Sequence, residues 1–220
     1  MKSFFITTSA LLIVFGAIWA VSAYTTHVFA DAKTISVNED LMNEKPENLP
    51  HVTIAGGCFW CVESEFRTLN GVKFTLVGYA GGETQNPSYQ EVVSGRTGHA
   101  EALQVYYDPE IISKEDILTH FLTTAHNPTT LNQQWVDRGE QYRSVIFYED
   151  EGEKDLAQRL IKEIDASNVW EDKIVTTLEP LSTFWIGEEY HQQYYEKYKE
   201  KTGRDHIRIL SKPKYGKNKK

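Results

Sequence analysis

Between residues 51 and 69 the hydrophobic period changes across a pair of glycines, and that change limits what the chain can fold into. HVTIAGG (51–57) reads as a short buried strand, while CFWCVESEFRTL (58–69) carries Phe59, Val62, Phe66 and Leu69 at helical spacing. A strand that turns directly into a helix calls for an α/β arrangement, with the helix packed back on a sheet. Strands are also expected over 72–77, where Val72, Phe74 and Leu76 alternate, and over 102–108 and 144–149. Helices are expected over 114–125, after a start signal at Ser113 and Asp116, and over 151–166. The glycine-rich stretch 78–101 and the polar stretch 126–143 read as loops. Tyr190, Tyr194 and Tyr198, four apart, read as the packed face of a helix. Alternating strands and helices predict an α/β domain with a mixed sheet.

Before Asp31 the only charged side chain is Lys2, and residues 4–23 are apolar. This run exceeds the roughly 7 to 15 apolar residues of a cleavable signal and approaches the ~20 needed to span a bilayer. Small residues at 21–23 and 28–30 would also suit cleavage, so signal peptide and membrane anchor both stand for residues 1–30. Either way the expected location is exported, periplasmic or otherwise extracytoplasmic, with membrane contact only through this segment. Residues 31–50 are polar and aperiodic and read as a linker, residues 51–205 as the catalytic domain. Residues 206–220 hold six Lys and Arg and no acid, and read as a solvated basic tail that could touch anionic lipid if the leader is kept.

With 23 Lys and Arg against 31 Asp and Glu, a net charge of −8 argues against nucleic acid as a partner. The 40 % apolar content suffices for a core, since a chain of this size buries roughly 70 % of its unfolded surface. Neither a phosphate-binding G-x-x-x-x-G-K-[ST] loop nor G-x-G-x-x-G occurs, which argues against a nucleotide enzyme.

Cys58 and Cys61 are the only cysteines, too few for a disulfide-built scaffold or a four-cysteine zinc site. No histidine pair shows metal-ligand spacing, so no metal is expected. Cys58 falls at the first turn of the expected helix, where free N–H groups and the helix dipole would stabilise its thiolate. Cys61 lies on the same side, with Cβ atoms starting about 5 to 6 Å apart. A disulfide wants ~3.8 Å, so the first turn would have to adjust. Read by itself, C-x-x-C also fits a thioredoxin-like dithiol oxidoreductase or two inert buried thiols. Phe59 and Trp60, between the cysteines, could form an apolar floor beside the sulfur.

GGCFWCVE, GYAGG, NPSYQEV, SGRTGHAEA, YDP, DRGEQYRS and EEYHQQYY, in that order, resemble the type A methionine sulfoxide reductases over roughly residues 52–195. The resemblance implies a two-layer α+β sandwich with a ferredoxin-like core. It implies reduction of the S epimer of methionine sulfoxide, free or in proteins, by a cysteine nucleophile without a bound cofactor. Cys58 matches the nucleophile and Glu101 the proton donor. Tyr89 and Tyr142 match the tyrosines that hydrogen-bond the sulfoxide oxygen, Asp137 a polar pocket residue, and Phe59 and Trp60 the wall around the substrate methyl. Glu63 belongs to the motif without an assigned role. Many relatives resolve through a cysteine in a glycine-rich tail. This chain has none, which leaves Cys61 as resolving thiol and thioredoxin or a thioredoxin-like donor as the reductant.

The chemistry agrees with these residue types. A sulfoxide sulfur is partly positive and open to a thiolate, and its oxygen leaves only when protonated. Glu101 must therefore keep a proton near neutral pH, which requires burial. Two rivals remain on sequence alone: a general thiol-disulfide oxidoreductase, and a tethered binding module with structural cysteines.

Overall fold

A six-stranded mixed sheet organises residues 45–205, the part of the chain that the computed structural model describes. In chain order the elements are β1 (His51–Gly56), α1 (Phe59–Phe66), β2 (Val72–Ala80), α2 (Tyr89–Val93), β3 (Ala100–Tyr107) and α3 (Lys114–His120). A π turn (Phe121–Ala125), the hairpin strands β4 (Gln133–Gln134) and β5 (Asp137–Arg138), a 3-10 turn (Glu140–Tyr142), β6 (Ser144–Tyr148) and α4 (Glu151–Ser167) follow. The described part closes with β7 (Thr177–Pro180), β8 (Trp185–Ile186), a 3-10 turn (Glu189–His191) and α5 (Tyr194–Thr202).

The strand order is β7-β6-β1-β3-β2-β8, and only β6 and β7 run parallel. β3 lies inside the sheet and is buried along its whole length. Its residues alternate between two layers. Leu103, Val105 and Tyr107 join the larger core with Phe59, Val62 and Phe66 of α1, Ile117 and Leu118 of α3, and Leu160 and Ile164 of α4. Ala100 and Ala102 face a smaller cluster with Ala55, Ala80, Val145 and Phe147, covered by Leu181 and Phe184. Alanines suit that face because a connecting segment, not a helix, lies over it. This is the two-layer α+β arrangement expected.

Local signals explain the boundaries. Ser113 and Asp116 form a reciprocal capping box at the start of α3, as their spacing predicts. The expected 114–125 helix is α-helical only to His120. Its last turn widens to a π turn, whose Phe121 carbonyl pairs with the buried His126 ring at 2.9 Å. α4 starts at the Asp150 cap and ends where Asn168 adopts a left-handed φ of 57°.

Several segments read as loops are ordered elements. β2 continues through Gly78, Tyr79 and Ala80, because β8 pairs with it there. A Cβ on Gly78 would sit 2.2 Å from the Trp185 carbonyl oxygen. The 78–101 stretch also holds α2, started by a Ser88–Glu91 capping box that the reading of the loop passed over. The 126–143 stretch holds the β4–β5 hairpin. β7 and β8, of four and two residues, are too short for a period to show. The three tyrosines do not share one helix face. Tyr190 is exposed in a 3-10 turn, and α5 begins only at Tyr194, after Gln193 takes a left-handed φ of 52°.

The apolar stretch 4–23, its cleavage sites, most of the linker and the basic tail lie outside the described residues. Among the described residues no helix is long and apolar enough to cross a membrane.

Candidate active site

β1 delivers the nucleophile candidate. The strand ends at Gly56, and Gly57 turns the chain with a φ of +94°, so that Cys58 becomes the N-cap of α1. A Cβ on Gly57 would collide with Gln134, which packs the β4–β5 hairpin against the cysteine loop. Neither cysteine is in a disulfide, and both are half-buried. The Cys58 carbonyl accepts from the N–H groups of Cys61 (3.0 Å) and Val62 (3.2 Å).

The expectation of a thiolate stabilised at the helix start is not met. The Cys58 thiol is pushed up, first by its hydrogen bond with Cys61, then by burial and by the nearby Cys61 and Glu101. The helix N-terminus serves a different group: the Phe59 N–H, next in the chain, donates to Glu101 Oε2 at 3.0 Å. A cysteine at the cap, rather than inside the first turn, does not receive that donor.

Glu101 stands on β3, directly across from Tyr79 of β2, and is only 2 % exposed. Burial raises its carboxyl to about 8, with Asp137 and Cys61 adding to the rise and the Phe59 N–H opposing it. At neutral pH it therefore holds a proton. The loop before it is locked by His99, which accepts from Gly82 N–H at 3.0 Å and meets the Thr84 carbonyl at 2.7 Å.

Tyr89 opens α2, Asp137 opens β5, and Tyr142 ends the 3-10 turn that follows. The structure brings all three to one place. The Tyr89 phenol is raised to about 12, by burial and then by Glu101 and Cys58. Tyr142 is raised by burial and then by Glu101, Tyr89, Asp137 and Cys58. The Asp137 carboxyl is raised by burial. Two phenols that keep their protons thus lie near the thiol and the protonated Glu101, with the Asp137 carboxyl close by.

Phe59 and Trp60 divide the wall between them. Phe59 is fully buried, 6.0 Å from Tyr79, 6.3 Å from Tyr89 and 5.0 Å from His191, ring to ring. Trp60 is half-buried, stacks on Tyr194 at 3.9 Å and donates its indole N–H to His191 Nδ1 at 3.0 Å. Burial pushes His191 down to about 4, so it accepts as a neutral ring.

Sequence reasoning missed several supports of the site. Glu188 accepts from the Tyr79 hydroxyl at 2.6 Å and from the Tyr89 N–H at 2.9 Å, which ties α2 to β2. Gln192 extends the edge of β2, accepting from Val77 N–H and donating to the Val77 carbonyl, both at 2.9 Å. The Cys61 sulfur meets the Tyr195 hydroxyl at 3.0 Å. EEYHQQYY carried the signal, but as a motif without assigned roles, and the tyrosine spacing suggested packing alone. Glu63, left without a role, is buried and clamps α1: it accepts from the Thr75 hydroxyl at 2.9 Å and the Gln193 N–H at 2.8 Å.

Among the described residues no group of three or more His, Cys, Asp or Glu side chains is placed to hold a metal ion. Two reduced thiols, a protonated buried acid and two phenols form a site suited to taking an oxygen atom from a polarised oxygen donor.

A family model described as peptide methionine sulfoxide reductase matches residues 50–220. The chain belongs to the peptide methionine sulfoxide reductase A family. A family relative, the reductase MsrA of Natronomonas pharaonis, is 50 % identical over 145 residues, covering 66 % of this chain and 81 % of the relative. The crystal structure of Mxr1 from Saccharomyces cerevisiae in reduced form is similar with a TM-score of 0.65 and 34 % identity, over 74 % of this chain and 91 % of that one. Methionine sulfoxide reductase A of Corynebacterium diphtheriae gives a TM-score of 0.61 and 31 % identity, over 69 % and 76 % of the two chains. Family membership makes the chain an oxidoreductase that reduces methionine sulfoxide, and the two-layer fold agrees with these structures.

Proposed function

We propose that the chain reduces the S epimer of methionine sulfoxide, free or within polypeptides, at Cys58. In this reading the sulfoxide oxygen points to Glu101, Tyr89 and Tyr142, and the methyl group lies against Phe59 and Trp60. Oxygen and methyl differ in polarity, so exchanging them, as the other epimer requires, would set the oxygen against rings and the methyl against donors. Cys58 attacks the partly positive sulfur, and Glu101 gives its proton to the oxygen and recovers one from the thiol. The sulfoxide becomes the thioether, and Cys58 takes the oxygen as a sulfenic acid.

Cys61 then attacks the sulfenic sulfur, forming the Cys58–Cys61 disulfide and releasing water. Placing Cys58 at the cap makes this step local. Only the first turn, held through the Cys58 carbonyl, has to give way as the Cβ atoms close from about 5 to 6 Å toward ~3.8 Å. Thioredoxin or a thioredoxin-like donor reduces the disulfide through a mixed-disulfide intermediate and leaves oxidised. Export of the domain, by a cleaved leader or a retained anchor at residues 4–23, belongs to the same reading, and mass spectrometry of the mature N-terminus separates the two.

The observation that carries the proposal is Glu101: buried, raised to about 8 and held by the N–H next to the nucleophile. The test supplies dithiothreitol and each epimer of a blocked methionine sulfoxide. Selective loss of the S epimer is expected, whereas insulin reduction without sulfoxide turnover would favour a general dithiol oxidoreductase.

A further inference from the structure

Trp135 and Val136 form the two-residue tip of the β4–β5 hairpin, and both stand in solvent, 53 % and 68 % exposed, with Leu131 beside the hairpin at 71 %. Trp135 is moreover left-handed, with φ +50°. Gly, Asn or Asp fill such a turn position without strain, and a tryptophan there stores strain that the local fold does not need. A large apolar side chain held both exposed and strained calls for a use outside the fold.

The hairpin is not a free loop. Gln134, paired with Asp137 across it, accepts from the Asn127 N–H at 3.1 Å and donates to the Asn127 carbonyl at 2.6 Å. The same Gln134 side chain packs against Gly57, next to Cys58. The hairpin therefore turns Gln134 and Asp137 inward and carries Trp135 and Val136 at its tip. Asp137 and the exposed Tyr190 both act on the Tyr89 phenol, so the hairpin and the 3-10 turn of Tyr190 both lie near that ring.

Resting on the proposed sulfoxide chemistry, we infer that Trp135 and Val136 form an apolar lip that binds the hydrophobic residues flanking a methionine sulfoxide in an extended polypeptide. Val136 adjoins Asp137 and Trp135 adjoins Gln134, whose side chain packs on Gly57 beside Cys58, so the tip stands next to the candidate site along the hairpin. The expected occupant is apolar for a chemical reason. Methionine is a core residue, its oxidation makes it polar and disrupts the core, and the segment thereby exposed carries apolar neighbours.

The test compares two heptapeptides with a central methionine-S-sulfoxide, one flanked by Leu and Val and one by Ser, with dithiothreitol as reductant. The wild-type chain should favour the apolar-flanked peptide in kcat/KM by about tenfold, the size of one well-placed apolar anchor. In Trp135→Gly and Trp135→Asn, both suited to the left-handed turn, the ratio should fall toward one. Because each ratio is taken within one variant, a general loss of activity does not mimic the effect. An even wild-type ratio, or a preference that survives both substitutions, would overturn the lip while leaving blocked S-sulfoxide turnover intact. So would a defect seen only when thioredoxin replaces dithiothreitol, since that would assign the tip to the reductant. Inactivity of the wild type on blocked sulfoxide as well as on both peptides would instead bring down the underlying chemistry and the lip together.

Discussion

Glu101 and Glu63 are two carboxyl groups equally removed from water, 2 % and 1 % exposed, and α1 is tied to both. Their surroundings differ. Glu63 has a donor on each oxygen, the Thr75 hydroxyl and the Gln193 N–H, with Arg67 also lowering its carboxyl, and it ends at about 7. Glu101 accepts from one donor among the described residues, has Asp137 and Cys61 as neighbours, and ends at about 8. Burial alone thus does not make a catalytic acid. What distinguishes Glu101 is its place beside a thiol and two phenols, whereas the oxygens of Glu63 are occupied in joining α1 to β2 and to the segment before α5.

The strongest challenge to that contrast is at the cysteines. Cys58→Ser should abolish even a single turnover, measured as thioether formed per protein, while Cys61→Ser should keep one turnover and lose recycling. Equal loss of the first turnover in both would undo the assignment of resolving duty to Cys61. Glu101→Gln comes next, with the single-turnover rate falling by roughly 10²–10⁴, the usual weight of a positioned general acid. Its fold should persist, because an amide oxygen still accepts the Phe59 N–H.

Acidity sharpens the comparison further. In the wild type the first-turnover rate should fall as pH rises through about 8, where Glu101 loses its proton. Stability follows the same sign. Both carboxyls are raised above 4.5, so the folded chain holds more protons than the unfolded one between there and about 7 to 8. Folding is therefore favoured most below 4.5 and loses this contribution as pH rises through that window. Denaturant titrations of Glu101→Gln at pH 5 and pH 8 should show a shallower decline than the wild type.

Tyr89→Phe should cost about tenfold in kcat/KM, the weight of one hydrogen bond to a group that gains charge, with Tyr142→Phe similar. Glu63→Gln should show the smallest catalytic change and instead lower stability by about 1–3 kcal/mol, because one of two buried donors loses a matched acceptor. A large loss of rate with unchanged stability in Glu63→Gln would break the distinction between clamp and acid.

Much of this was legible in the chain, and the gaps have physical causes. β1, α1, α3 and α4 carry enough residues for a period to show, and the Ser113–Asp116 box marks its helix start directly. The hairpin β4–β5, β7 and β8 are too short for periodicity, and their pairing depends on partners far away in sequence. Glu101 looks like an ordinary residue of AEALQVYY. Only the motif singled it out, because alternation cannot tell a strand buried on both faces from one at an edge.

Residue types and spacing alone determined the dithiol and the strand-to-helix turn that presents it, whereas the donors for a sulfoxide came from the resemblance to the family's motifs. Tertiary structure decided the proton states. The first free N–H of α1 goes to Glu101, and the sheet removes that carboxyl from water, so the acid stays neutral with its proton, while the Cys58 thiol is pushed up first by its hydrogen bond with Cys61 and then by burial. Spacing along a chain cannot convey this, since desolvation and hydrogen-bond competition depend on which distant segments close over a group.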